Sequence, residues 1–97
     1  MIIYIAGRIK GREDTYKEIF KMAQSVFESQ GHIVINPALL PVGLDPDRYM
    51  PICLSMIDAA DAVYLLDGWE MSKGACMEKI YAEYQGKIVI EEDYNNG

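Results

Sequence analysis

Glu78 stands six positions after Ser72 in the segment Ser72-Lys73-Gly74-Ala75-Cys76-Met77-Glu78. A serine before a helical run suits an N-cap, and Gly74 would sit in the first turn. The start of such a helix presents backbone N–H groups and a partial positive charge to an anion. A carboxylate about one turn beyond a bound anion can stabilise or trap a developing positive charge. A second cluster, Gly7-Arg8-Ile9-Lys10-Gly11, combines two glycines with two cations, the residue types of a phosphate-binding loop. Arg8, Lys10 and Arg12 place three of the nine basic residues within five positions. This is neither a Walker loop, since no Gly-Lys-Ser/Thr follows, nor a GxGxxG turn.

Each feature also has an ordinary structural reading. Loop charges are commonly just solvated, a serine before a helix is commonly only a cap, and a helix glutamate commonly faces water. Trp69 reads either as a partly exposed loop aromatic or as a lid that stacks on a base. His32 receives no role. Met22, Met50, Met56, Met71 and Met77 read as core or helix-face filler. The chain has no HExxH, His/Cys cluster or acidic triad, so neither a metal nor a cofactor is expected.

The elements that would position these residues alternate. Ile2–Ala6 is an unbroken apolar run, the mark of a strand buried on both faces. Gly7–Glu13 reads as a loop. Thr15 and Glu18 fit a capping box, with Asp14 as the alternative cap, for a helix running through Gln30 with Gly31 at its end. His32–Ile35 is the second strand and Leu39–Pro46 a loop. Asp47 would cap a helix running to about Ala60, with Pro51 kinking it or marking a later start. Ala62–Leu66 is the third strand, closed by Asp67-Gly68. Ser72–Gln85 is the third helix, Lys87–Glu91 the fourth strand, and Asp93–Gly97 a frayed polar tail. This βαβαβαβ order predicts an α/β fold: a Rossmann-like three-layer αβα domain over residues 1–97, with a four-stranded parallel sheet in order 2-1-3-4. The switch point then falls between strands 1 and 3. The loops Gly7–Glu13 and Asp67–Met71 would flank one crevice there.

Composition narrows the function classes. Ninety-seven residues with 51% apolar content suit one small globular domain, often supplemented by oligomerisation. A net charge of −6 argues against a nucleic-acid polymer as partner. Cys53 and Cys76 lack CxxC spacing and read as reduced, half-buried thiols. The N-terminus opens on a strand with no charged n-region, and no apolar run suits a membrane span, so a cytoplasmic protein is expected.

Tyr4-Ile5-Ala6-Gly7-Arg8-Ile9-Lys10-Gly11, together with Ser72–Glu78, resembles the nucleoside 2-deoxyribosyltransferase superfamily. One similar branch is the 2′-deoxynucleoside 5′-monophosphate N-hydrolases, with a Tyr-x-x-Gly-x-Ile-Arg-Gly start and a Ser-x-Gly-x-x-x-Glu element. The other is a group of short bacterial and phage proteins of unassigned function with Leu-x-Gly-Trp-Glu-x-Ser-x-Gly-Ala-x-x-Glu. Leu66–Ala75 with Glu78 matches that pattern almost position for position.

The resemblance implies a Rossmann-like fold, a Glu78 nucleophile, and Tyr4 near the sugar. It places Ser72 at the 5′-phosphate, beside the Gly7–Gly11 loop, and a neighbouring subunit at the edge of the site. The expected ligand is a nucleotide or nucleoside, held by Gly7, Arg8, Ile9, Lys10, Gly11, Asp67, Trp69, Ser72 and Gly74. The expected chemistry is cleavage or transfer of an N-glycosidic bond, and the expected state is a homodimer or higher homo-oligomer. Two departures stand out. Cys53 occupies the place of an Asp found in both characterised branches, for which Asp67, Glu70 or Asp58 would have to substitute. Arg8 replaces a small residue. A non-catalytic nucleotide-binding or sensor module is the alternative.

Overall fold

A computed structural model describes residues 1–92; the expected tail Asp93–Gly97 lies outside the described residues. The strands are β1 (Ile2–Ala6), β2 (Ile33–Ile35), β3 (Ala62–Leu65) and β4 (Ile88–Glu91), and the helices are α1 (Tyr16–Ser29), α2 (Pro46–Asp58) and α3 (Lys73–Tyr84). All strand pairings are parallel and the order is β2-β1-β3-β4. Ile3 aligns with Ala62 and Ala6 with Leu65, which fixes the register of the central pair.

The central strands are apolar throughout because both faces are covered. Tyr4, Ala6, Val63 and Leu65 point to one side and pack with Cys53 and Ile57 of α2 and Ala82 of α3. Ile5 and Leu66 point to the other side and pack with Phe20 of α1. The three layers therefore follow from period-2 alternation on strands whose two faces meet different helices.

Helix ends are set locally. After α1, Gly31 adopts φ +89° and His32 N–H donates to the Phe27 carbonyl; after α3, Gly86 adopts φ +75° and Lys87 N–H donates to Ala82. Both are Schellman endings that only a glycine adopts without strain. Ser72 caps α3, its Oγ accepting the Ala75 N–H at 3.1 Å.

Several boundaries differ from the sequence expectation. Thr15 precedes α1 but makes no side-chain cap; the Arg12 carbonyl accepts from Thr15 and Tyr16 instead, through a turn that precedes the helix. Asp45, not Asp47, holds the cap position of α2, because Pro46 at the first helical position has no N–H to leave unpaired. The helix runs on through Pro51. Short 3₁₀ turns form at Pro37–Leu39, leading into the loop read from Leu39, and at Trp69–Met71 within a segment read as loop. Of the methionines read as core or helix-face filler, Met22 and Met77 lie on exposed helix faces of α1 and α3, and Met71 is exposed outside both core and helix face.

Candidate active site

Glu78 is on the buried side of α3 with Ala75 and Ala82, and is only 7% exposed. The small alanines on either side let the helix approach the sheet, so the carboxylate reaches the strand layer. There the hydroxyl of Tyr4, a fully buried residue of β1, donates to Glu78 Oε2 at 2.9 Å. Cys53, on the buried side of α2, completes this floor. Burial pushes Glu78 up to about 7, while hydrogen bonds from Tyr4 and Cys53 pull the other way. Burial, then the Glu78 charge, hold the Tyr4 phenol well above its ordinary value. The Cys53 thiol is pushed up to about 11, chiefly by burial.

A cavity of about 820 Å³ opens above this floor. One wall is the end of β1, its loop and the start of α1, with Gly7, Ile9, Lys10, Glu13, Asp14 and Lys17. Another is the start of α3, with Ser72 and Gly74. The N–H groups of Lys73 and Gly74 have no intrahelical acceptor at these first positions and suit an anion. The third wall is the segment after β2 together with α2, including Leu40, Val42, Leu44 and Met50. The Tyr49 hydroxyl ties that segment down by donating to the Pro41 carbonyl and accepting from Leu44 N–H. Gly7 is required by close approach. A Cβ there would lie 2.9 Å from Leu66 Cδ1 and 3.2 Å from Phe20 Cζ.

Tyr4, Gly7, Ile9, Lys10, Ser72, Gly74 and Glu78 thus line one cavity, whereas Arg8, Gly11, Asp67 and Trp69 are not among its lining residues. Arg8 folds back, its Nε donating to the Lys10 carbonyl at 2.8 Å. Gly11 N–H donates to both Glu13 carboxylate oxygens at 3.1 Å. Hydrogen bonds from the loop backbone, that of Gly11 first, hold the Glu13 carboxyl below its ordinary value. Trp69 packs against the core on the β4 side, with Nε1 donating to Glu91 at 3.2 Å and Lys79 over its ring. It does not cover the cavity.

The crevice also differs from the one expected between the loops after β1 and β3. Arg12 Nη1 donates to the Asp67 carbonyl at 3.1 Å and spans that gap. The opening lies instead toward the segment after β2, to which sequence reading gave no role. Of the acids offered as substitutes for the missing Asp, Asp58 is engaged with Tyr81 and Gln85 away from the cavity, and neither Asp67 nor Glu70 lines it. Cys53, read from sequence as a half-buried thiol and as a departure from the resemblance, is buried at the floor. A signal for Glu78 was present in the sequence: Ala75, Glu78 and Ala82 recur at i, i+3, i+7, so the glutamate lies in an otherwise small-residue stripe. Among the described residues no group of three or more His, Cys, Asp or Glu side chains could hold a metal ion, and no helix is long and apolar enough to cross a membrane.

The family model described as "Domain of unknown function (DUF4406)" matches residues 1–91. No curated protein matches the chain significantly. Among solved structures, a 2-deoxyribosyltransferase from Leishmania mexicana shares the fold with a TM-score of 0.74 at 20% identity. The match covers 93% of this chain and 62% of that one, so this chain spans about three fifths of that protein's length. The three-layer arrangement with sheet order 2-1-3-4 is that of the deoxyribosyltransferase fold.

Proposed function

We propose that this chain, which belongs to the family of the DUF4406 domain of unknown function, binds a nucleoside 5′-monophosphate and breaks its N-glycosidic bond with Glu78 as nucleophile. The observation that carries this reading is the buried Glu78 carboxylate, hydrogen-bonded by Tyr4 at the floor of a cavity whose walls include a helix N-terminus and Lys10. The phosphate would take the Ser72–Gly74 helix start and Lys10, and the sugar would lie over Glu78. Cleavage passes through an oxocarbenium-like state, which a carboxylate beneath the sugar stabilises or captures. Water then releases the sugar phosphate, or a second base takes the sugar. The shared fold with a deoxyribosyltransferase supports this reading.

One observation favours a second reading. Cys53 offers a thiol of raised pKa where a carboxylate would assist the leaving base. A nucleotide-binding module without turnover follows if no substrate overcomes that lack. Prolonged incubation with deoxynucleoside 5′-monophosphates, followed by chromatography for free base, tests the first reading, with Glu78→Gln as control. Base release that persists undiminished in E78Q would sink it. A thermal shift with these compounds and no base release would select the second.

A further inference from the structure

Cleaving the bond to an ordinary neutral base calls for two groups, one beneath the sugar and one to protonate the departing base. The cavity floor carries a single carboxyl, Glu78. Tyr4 already gives its proton to the hydrogen bond with Glu78. The Cys53 thiol, near 11, is a poor proton donor. Glu13 is tied to Gly11 by hydrogen bonds that hold its carboxyl below its ordinary value, and Asp14 shares its stretch of wall with Lys10 and Lys17. The wall after β2 is of another kind. Leu40, Val42, Leu44, Pro46 and Met50 carry no ionisable side chain, and the Tyr49 hydroxyl is occupied by Pro41 and Leu44. A nucleotide has one charged end and one flat aromatic end. With the phosphate at Lys10 and the α3 start, the base faces this apolar wall.

We propose that the substrates are nucleotides whose base departs without being protonated, namely N-alkylated, positively charged bases such as N7-alkylated purines or pyridinium rings. This rests on the N-glycosidic reading above and deepens it. The C1′–N bond breaks with both electrons going to nitrogen, so the cationic base leaves neutral and needs no proton. A Glu78 oxygen bonds to C1′. Water then adds at C1′, the carboxylate leaves, and the surplus proton passes to solvent. An apolar wall favours this change, because a neutral aromatic base is better accommodated there than a cation. The nucleophile's negative charge is lost in the same step, so charge disappears inside a partly dehydrated site.

The test compares kcat/KM for 7-methyl-2′-deoxyguanosine 5′-monophosphate and 2′-deoxyguanosine 5′-monophosphate on the wild-type protein. The two differ by one methyl group and its charge. A general acid contributes about 10²–10⁴-fold, and its absence should leave the methylated substrate ahead by roughly 100-fold or more. Equal kcat/KM for the two would overturn the inference while the N-glycosidase reading stood. Release from neither compound would overturn both.

Discussion

Tyr4 and Glu78, 74 positions apart in the chain, meet through a 2.9 Å hydrogen bond in the protein interior. Neither side chain would choose that position alone. Burial raises the pKa of both, and the hydrogen bond is what the phenol returns to the carboxylate. The outcome is a carboxyl near 7, poised to change charge around neutrality.

Glu78→Gln is expected to lower base release by at least about 10³-fold, since the amide cannot serve as the nucleophile. In the wild type, release should climb with pH to a midpoint at about 7, because only the ionised form attacks. Kinetics between pH 5 and 9 check both, with circular dichroism to confirm that E78Q folds.

The same shift has a consequence for stability. Glu78 has a folded pKa raised from 4.5 to about 7, so its contribution is full below pH 4.5 and is lost as pH rises through 7. Keeping the anion buried costs on the order of 3 kcal/mol above that range. E78Q, which cannot ionise, should therefore gain stability relative to wild type between pH 5 and 8. Denaturant melts across that range would show a constant difference if the carboxyl did not titrate.

Tyr4→Phe removes the donor that pulls the Glu78 pKa down. The midpoint of the pH–rate profile should move above 7, and stability should fall by about 1–2 kcal/mol for the lost buried hydrogen bond. An unmoved midpoint would show that the phenol does not act through Glu78.

Monophosphates should bind more tightly than the corresponding nucleosides, and Lys10→Ala should remove much of the difference. A charge-assisted contact of about 1.5–3 kcal/mol corresponds to tenfold or more in Kd. Titrations at rising salt should show the advantage shrinking, since a loop site is screened. Equal affinity for both ligand types would speak for a transferase acting on free nucleosides.

For the homo-oligomer expected from the sequence, we propose a contact through α3. On α2, Leu54, Met56 and Ile57 are used by the core. An exposed apolar stripe lies on α3, where Met77, Ile80 and Tyr84 are 54%, 62% and 87% exposed. Ile80→Lys should shift light-scattering mass to the monomer without lowering the melting temperature of the fold by more than a few degrees. A monomeric wild type at micromolar concentration would dispose of the idea.

The sequence by itself determined the layers and their order. Unbroken apolar strands at Ile2–Ala6 and Ala62–Leu65 need cover on both faces, and the intervening helices supply it through right-handed crossovers. Gly31, Ser72 and Gly86 mark helix ends through local backbone chemistry, and so could be read in place. What the tertiary structure alone decided was which residues share the cavity. Arg8 and Lys10 look equivalent in sequence, yet Arg8 is spent on its own loop and Lys10 lines the wall. Trp69 sits between two site candidates, Asp67 and Ser72, yet packs toward Glu91 because a 3₁₀ turn directs it there. Cys53 and the Leu40–Leu44 segment joined the site only when α2 folded across β1. Side-chain direction in loops and contacts between distant elements depend on packing that no local pattern encodes, so the strands and the helix ends at Gly31, Ser72 and Gly86 were legible and the cavity wall was not.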